Sequence, residues 1–141
     1  VTIAASVASL ADRRGYTYGV VSNAVASYSG KWIHVPMGAS SSQLTMALEA
    51  LAMAAPYVVA PLAEVVNSKR DSLPAGTTVI LVTPSLSDSL LEDIAGIRVH
   101  GCRVLVLYSG DGLPDRELGD IDVIPMYSVL DKVDAHEPAI A

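Results

Sequence analysis

Hydroxyl, amide and carboxyl side chains that could bind a ligand follow three predicted strands. They are Ser22, Asn23, Thr83, Ser85, Ser87, Asp88 and Asp111. In an open α/β sheet, ligands and metals bind outside the carboxyl ends of the strands. The stretch TPSLSD, residues 83–88, therefore has the composition and the position of a hydroxyl-rich site. The alternative is structural: Pro84 would stiffen the turn, and Ser87 or Asp88 would cap the next helix. We favour the structural alternative.

Other catalytic or metal-binding patterns are incomplete in this sequence. Three serines at 40–42 follow Gly38, but a phosphate-binding P-loop also needs a lysine that is not there. Asp111 lies in SGDGLPD, which lacks the regular oxygen ligands of an EF-hand calcium loop. No Gly-x-Ser-x-Gly nucleophile elbow is present. The histidines have no metal-ligand spacing; they are His34, His100 and His136. We therefore expect no catalytic residue, no cofactor and no metal.

The composition is typical of a single globular domain. The chain has 141 residues, of which 51% are hydrophobic, enough to build a core. A formal net charge of -6 argues against binding to the phosphates of a nucleic acid. The single cysteine, Cys102, excludes an internal disulfide and fits a reducing compartment. No apolar run is long enough to span a bilayer, so we expect no membrane contact by this segment.

Hydrophobic periodicity predicts helices and strands in the order α-β-β-α-α-β-α-β, with a further short strand near the end. TTVILVT, residues 77–83, is almost continuously apolar, which predicts a central strand with both faces buried. KWIHVP, residues 31–36, is half polar and ends in a proline, which predicts an edge strand. Alternation of this kind predicts an α/β fold, a mostly parallel sheet with helices on both faces. We assign residues 1–121 to this domain and residues 122–141 to a terminal strand and a loose tail.

Prolines, serines and an unusual opening helix mark the boundaries of the predicted elements. One of the serines at 40–42 is expected to cap a helix that ends at Pro56, and Pro61 begins the next helix. An α/β domain normally opens with a strand, whereas residues 1–15 carry a helical pattern. We expect the missing strand to lie just upstream of Val1, in a longer protein.

Three stretches resemble the C-terminal region of the domain of unknown function 58 family. They are IAASVASLADRRGYTYGVVSN, HVPMGASSSQLTMALEALAMAAPYVVAPLAEVV and LPAGTTVILVTPSLSDSLLEDIAGIRVHGCRVLVLYSG, and they run from about Ile3 to Gly110. The resemblance implies a von Willebrand factor A-like fold, Rossmann-like and three-layered, here lacking its opening strand. It also implies a prokaryotic, cytoplasmic domain that is tethered to the membrane through upstream segments and acts with a MoxR-type AAA+ ATPase.

The same resemblance implies a metal site that has degenerated. Von Willebrand A domains bind a divalent metal through an Asp-x-Ser-x-Ser loop, a Thr, and an Asp that directly follows the fourth strand. Val59 and Ala60 stand where the Thr is expected, and Pro84 follows Thr83 in place of the Asp. The first loop would belong to the missing strand. Because a hard cation needs several oxygen ligands, we expect no metal of this kind.

Two functions remain open at this point. The first is a non-catalytic protein-interaction domain with the strand ends as its partner surface. The alternative is a small-ligand-binding or hydrolytic α/β domain that uses the same strand ends, which a concave pocket with converging groups would favour. In the von Willebrand A arrangement that the resemblance implies, the missing strand lies between YTYGVV, residues 16–21, and TTVILV, residues 77–82, so its absence would leave each of them without a neighbour. We expect these two strands to pair directly or to recruit a second copy in a homodimer.

Overall fold

The computed structural model describes residues 1–27, 29–112, 114 and 118–127. Over these residues the chain is mixed α/β and forms two compact units, Val1–Ser68 and Lys69–Ala141. The expected boundary at residue 121 lies inside the second unit, and residues 128–141 of the expected tail lie outside the described residues. None of the described helices has the length and apolar character needed to cross a membrane.

The first unit contains an antiparallel sheet with strand order β2-β1-β3. Its elements are α1 (Thr2–Arg13), β1 (Tyr18–Ala26), β2 (Trp32–Gly38), α2 (Gln43–Ala52), β3 (Ala54–Val58) and α3 (Leu62–Lys69). α1 buries Ile3 and Ala8, and the chain leaves this helix through Gly15, whose φ of 71° is in the left-handed region that favours glycine. The prediction that β2 is an edge strand is confirmed.

Gln43 ties the start of α2 to the sheet. Its side chain is 2% exposed, and its Nε2 donates to the backbone oxygens of Tyr18, at 2.6 Å, and Pro36, at 3.0 Å. A buried amide must be hydrogen-bonded, and this one joins α2 to β1 and β2 at once. Ser42 occupies the N-cap position as predicted, but its side chain makes no capping hydrogen bond.

β3 replaces the end of a predicted helix. The sequence predicted that the helix after the serines runs to Pro56, whereas α2 ends at Ala52 and a strand follows. Pro56 disfavours helical geometry at the residue before it, and the Tyr and Val residues that follow favour extended chain. A proline is tolerated here because β3 lies at the edge of its sheet, paired only with β1.

The second unit contains a three-stranded parallel sheet with order β4-β5-β6. Its elements are a 3-10 turn (Arg70–Ser72), β4 (Thr78–Thr83), α4 (Asp88–Val99), β5 (Arg103–Tyr108) and β6 (Asp122–Pro125). α4 joins β4 to β5 and buries Leu90, Ile94 and Ile97. The buried residues of β5 are Val104, Val106 and Leu107.

β4 is an edge strand, which corrects the prediction of a central one. β5 lies on one side of β4, and no described strand pairs with the other side. Leu81 is buried, but Ile80 is 40% exposed, and Val79 and Val82 are half-buried. A continuous apolar run indicates that both faces of a strand are apolar, but it does not indicate how many strands pair with it. The sequence TVILVT alone therefore could not locate β4 in the sheet.

The direct pairing of β1 with β4, one of the two expected outcomes, is not found among the described strands. β1 pairs antiparallel with β2 and with β3, and β4 pairs only with β5. The described strands therefore form two sheets of three strands, not one mostly parallel sheet. β3, which the sequence did not predict, supplies one of the neighbours of β1.

The edge position of β4 predicts unequal costs for two neighbouring substitutions. Leu81→Ala should lower the free energy of unfolding by about 2–5 kcal/mol, because the removed side chain leaves a cavity in the core. Ile80→Ala should cost less than half as much, because Ile80 keeps much of its surface in solvent. Urea denaturation of both variants measures the difference, and equal losses would contradict the edge assignment.

Candidate functional site

The stretch 83–88 is held by hydrogen bonds to its own backbone. The hydroxyl of Thr83 donates to the carbonyl oxygen of Ser85 at 2.8 Å and lies 3.4 Å from the backbone nitrogen of the same residue. Thr83 is 3% exposed, while Ser85 is exposed. The hydroxyl at the end of β4 therefore shapes the turn around Pro84.

Ser87 is the N-cap of α4. Its hydroxyl accepts a hydrogen bond from the backbone N–H of Leu90 at 3.1 Å. Asp88 is exposed in the first turn of α4, where a carboxylate interacts favourably with the positive end of the helix dipole. Both residues thus have a structural role at the start of this helix.

The end of β5 approaches the turn after β4 closely. The backbone N–H of Ser109 donates to the carbonyl oxygen of Thr83 at 2.9 Å. At Gly110 a Cβ would collide with the carbonyl oxygen of Pro84 and with the ring of Tyr108, so a side chain does not fit there. Asp111 follows in an exposed turn. The structure thus brings the ends of β4 and β5 together, and backbone fills the space between them.

Ser22 and Asn23 belong to the first unit and have local roles there. The Oγ of Ser22 accepts a hydrogen bond from the backbone N–H of Ala24 at 3.1 Å. Asn23 makes two bonds to the chain after β3: its carbonyl oxygen accepts from the N–H of Val59 at 2.8 Å, and its Nδ2 donates to the carbonyl oxygen of Ala60 at 2.9 Å. Asn23 therefore fixes the path of the connection between β3 and α3.

The end of β3 and the residue that follows it present three apolar side chains to solvent. Tyr57 is 71% exposed, Val58 is 67% exposed and Val59 is 45% exposed. We call these three residues the β3 surface. The sequence analysis missed it because residues 57–59 lay between two predicted helices, one ending at Pro56 and the next beginning at Pro61. The signal was a Tyr-Val-Val run directly after a proline, a strand-forming composition.

A shallow hollow of about 660 Å³ lies in the second unit beside the end of α4. The guanidinium of Arg98 donates two hydrogen bonds to the carboxylate of Asp120. Nη1 lies 2.9 Å from Oδ1, and Nη2 lies 2.7 Å from Oδ2. This hydrogen-bonded, charge-paired contact lowers the pKa of Asp120 to about 2. The hollow is lined by Ala95, Arg98, Val99, Cys102, Arg103, Val104, Asp120 and Asp122. The charges of Arg98 and Asp120 already neutralise each other. None of the predicted site residues lines the hollow.

No group of three or more His, Cys, Asp or Glu side chains that could hold a metal occurs among the described residues. The carbonyl oxygen of Ala60, at the position where the resemblance implies a metal-binding Thr, accepts from Asn23. That no divalent metal binds remains a prediction.

Comparisons of this chain with protein-family models, with curated proteins and with solved structures found no match. The resemblance to the domain of unknown function 58 family therefore remains a prediction from the quoted motifs.

The capping role of Ser87 predicts a stability effect. Ser87→Ala should lower the free energy of unfolding by about 1 kcal/mol, because the N–H of Leu90 loses its acceptor. Ser89→Ala, at the exposed second residue of the same helix, is the matched control and should be neutral or slightly stabilising. Denaturant unfolding compares the two, and a neutral Ser87→Ala would show that the cap contributes nothing.

The Arg98–Asp120 pair predicts a stability effect that depends on pH. The folded-state pKa of Asp120 is lowered to about 2, so the pair stabilises the fold above the ordinary Asp pKa, roughly 3.9. That contribution is lost as the pH falls through the folded-state pKa. The stability of the wild type should therefore exceed that of Asp120→Asn near neutral pH and converge with it in acid. Asp111→Asn is the control, and a difference independent of pH would contradict the pairing.

Proposed function

We propose that this chain is a non-catalytic protein-interaction domain that binds a protein partner through the β3 surface. The observation that carries the proposal is the exposure of three consecutive residues, Tyr57 and Val58 at the end of β3 and Val59 directly after it, where Asn23 holds the chain in place. Exposed apolar patches of this kind often mark sites of protein association. The exposed tyrosine is a residue type enriched at such interfaces.

The fixed backbone supports this proposal. Val59 and Ala60 are both hydrogen-bonded to Asn23, and Ala24 and Val58 are paired between β1 and β3. A surface that is already ordered loses little conformational entropy when a partner binds. Asn23, one of the residues chosen from the sequence, would therefore act as a positioning residue for the partner surface and not as a contact with a ligand.

A small-ligand-binding or hydrolytic function has less support. The hydroxyls of Thr83 and Ser87 and the amide of Asn23 are engaged with backbone groups of their own unit. A catalytic group must reach the reacting atom of a substrate. Each of these three would first have to leave its present partner.

The resemblance to the domain of unknown function 58 family supplies the identity of the proposed partner and the setting. On that resemblance, the domain is a von Willebrand A-like module with a degenerate metal site. It acts in the prokaryotic cytoplasm with a MoxR-type AAA+ ATPase. A nucleic acid is disfavoured as a partner by the formal net charge of -6.

The β3 surface is tested with a double substitution that keeps strand-forming residues. Tyr57→Thr combined with Val58→Thr should weaken binding to the purified MoxR-type ATPase at least about tenfold, because an interfacial aromatic is removed. Met37→Thr, at an exposed position of β2, is the matched control and should bind like the wild type. Surface plasmon resonance measures the affinities, and thermal unfolding checks that the variants fold.

Two results would overturn parts of this proposal. Failure of the wild-type domain to bind the ATPase would reject this partner. Binding of the double variant as tight as that of the wild type would reject the β3 surface as the docking site.

A further inference from the structure

The parallel sheet of the second unit has two edges, β4 and β6. The direction of the backbone N–H and C=O groups shows which residues at each edge could bond another strand. The N–H of Arg103 donates to the oxygen of Thr77, and that of Ser109 donates to the oxygen of Thr83, both at 2.9 Å. Odd-numbered residues of β4 therefore face β5. Since backbone groups alternate in direction along a strand, Thr78, Ile80 and Val82 direct their N–H and C=O groups to the opposite edge.

The β6 edge offers little to another strand. The N–H of Met126 donates to the oxygen of Tyr108 at 2.8 Å, so even-numbered residues of β6 face β5. Val123 and Pro125 then face outward, and Pro125 has no N–H to donate. The strand has only four residues and begins with Asp122, whose side chain is exposed. Short length, a charge and a proline are the features that protect a sheet edge.

The β4 edge has none of these protections. Its sequence TVILVT contains neither a charge nor a proline, and its register with β5 runs without a bulge from Thr78 opposite Arg103 to Thr83 opposite Tyr108. No described strand pairs with this edge. The side chain of Ile80, in the middle of the strand, is 40% exposed. An uncharged, flat and apolar edge of this kind is a template for pairing with another chain.

We propose that β4 pairs antiparallel with β4 of a second copy of this chain, around a two-fold axis at Ile80. The outward residues are spaced so that Ile80 would lie opposite Ile80 of the second copy and Thr78 opposite Val82. Each pair exchanges two N–H···O bonds, so the joined edges would gain about six backbone hydrogen bonds. The two parallel sheets would become one continuous sheet across the dimer.

The edge fits a second copy because it is self-complementary. All three outward residues are β-branched, and the pairs Ile–Ile and Thr–Val place no like charges opposite one another, although the chain is acidic overall. A two-fold dimer uses the same strand from both copies and closes. Head-to-tail association, in which β4 of one copy pairs with β6 of the next, is disfavoured. In β6 only Val123 would direct an N–H outward, because Pro125 has none. This proposal concerns the second unit and stands or falls separately from the β3 surface.

The first test places a charge on the edge. Sedimentation equilibrium of the wild type over a wide concentration series should show a rising average mass. Ile80→Lys should weaken association at least about tenfold, because a lysine on an edge strand opposes pairing. Val99→Lys is the matched control: Val99 is the 89% exposed last residue of α4, and its substitution should leave association unchanged. A wild type that stays monomeric, or a dimer that Ile80→Lys leaves intact, overturns the proposal.

The second test reads the register by disulfide cross-linking. In a Cys102→Ala background, Ile80→Cys should form a covalent dimer, because opposite Cα atoms of a hydrogen-bonded pair lie about 5.5 Å apart, within disulfide range. Thr78→Cys alone should not, because it faces Val82 of the second copy. Thr78→Cys combined with Val82→Cys should cross-link again. Cross-linking of Thr78→Cys alone, or none from Ile80→Cys, rejects this register.

A third measurement needs no variant. In the wild type, hydrogen exchange at the N–H groups of Thr78, Ile80 and Val82 should slow as concentration rises, whereas Val79 and Leu81 are already bonded to β5 at any concentration. Exchange at Ile80 that stays fast at high concentration would overturn the dimer.

Discussion

The requirement that backbone N–H and C=O groups find partners governs this structure. Helices and strands satisfy most of these groups, and polar side chains satisfy others where the chain changes direction. Gln43 bonds two carbonyl oxygens that lie between α2 and its sheet, and Asn23 bonds the chain after β3. Thr83 and Ser87 do the same on either side of the Pro84 turn. Among the described residues, no buried side-chain nitrogen or oxygen lacks a partner.

The same requirement bears on function. Four of the side chains that looked suited to bind a ligand are engaged with backbone groups of their own unit: Ser22, Asn23, Thr83 and Ser87. These side chains hold the local structure in place. What the molecule offers outward is apolar area at residues 57–59 and, at β4, a row of backbone groups. Both features suit recognition of another polypeptide, the first through side chains and the second through strand pairing. This is why we favour an interaction domain over an enzyme.

The two proposed surfaces differ in the partner that they select. The β3 surface presents a tyrosine and two valines, and a partner would bind them through a pocket of complementary shape and apolar character. The β4 edge presents a repeating pattern of donors and acceptors that any extended chain can match, so its selectivity has to come from the side chains of Thr78, Ile80 and Val82. An uncharged edge that is its own complement selects a second copy without further contacts.

Local sequence patterns determined much of the secondary structure and little of its arrangement. Periodicity, glycine stops and apolar runs correctly predicted α1, α4 and β5, and the cap of α4 is Ser87, one of the two residues expected there, because these features depend on residues a few positions apart. The half-polar composition of β2 likewise indicated its edge position. β3, by contrast, was missed: its first residues were assigned to the helix that was expected to end at Pro56, whereas pairing with β1 makes them a strand. The bond of Asn23 to Ala60 and that of Arg98 to Asp120 join residues 37 and 22 positions apart, which no local pattern encodes. TVILVT correctly predicted a strand but not its position in the sheet. The sequence determines which faces of a strand are apolar, whereas its neighbouring strands are decided only when distant segments pack together.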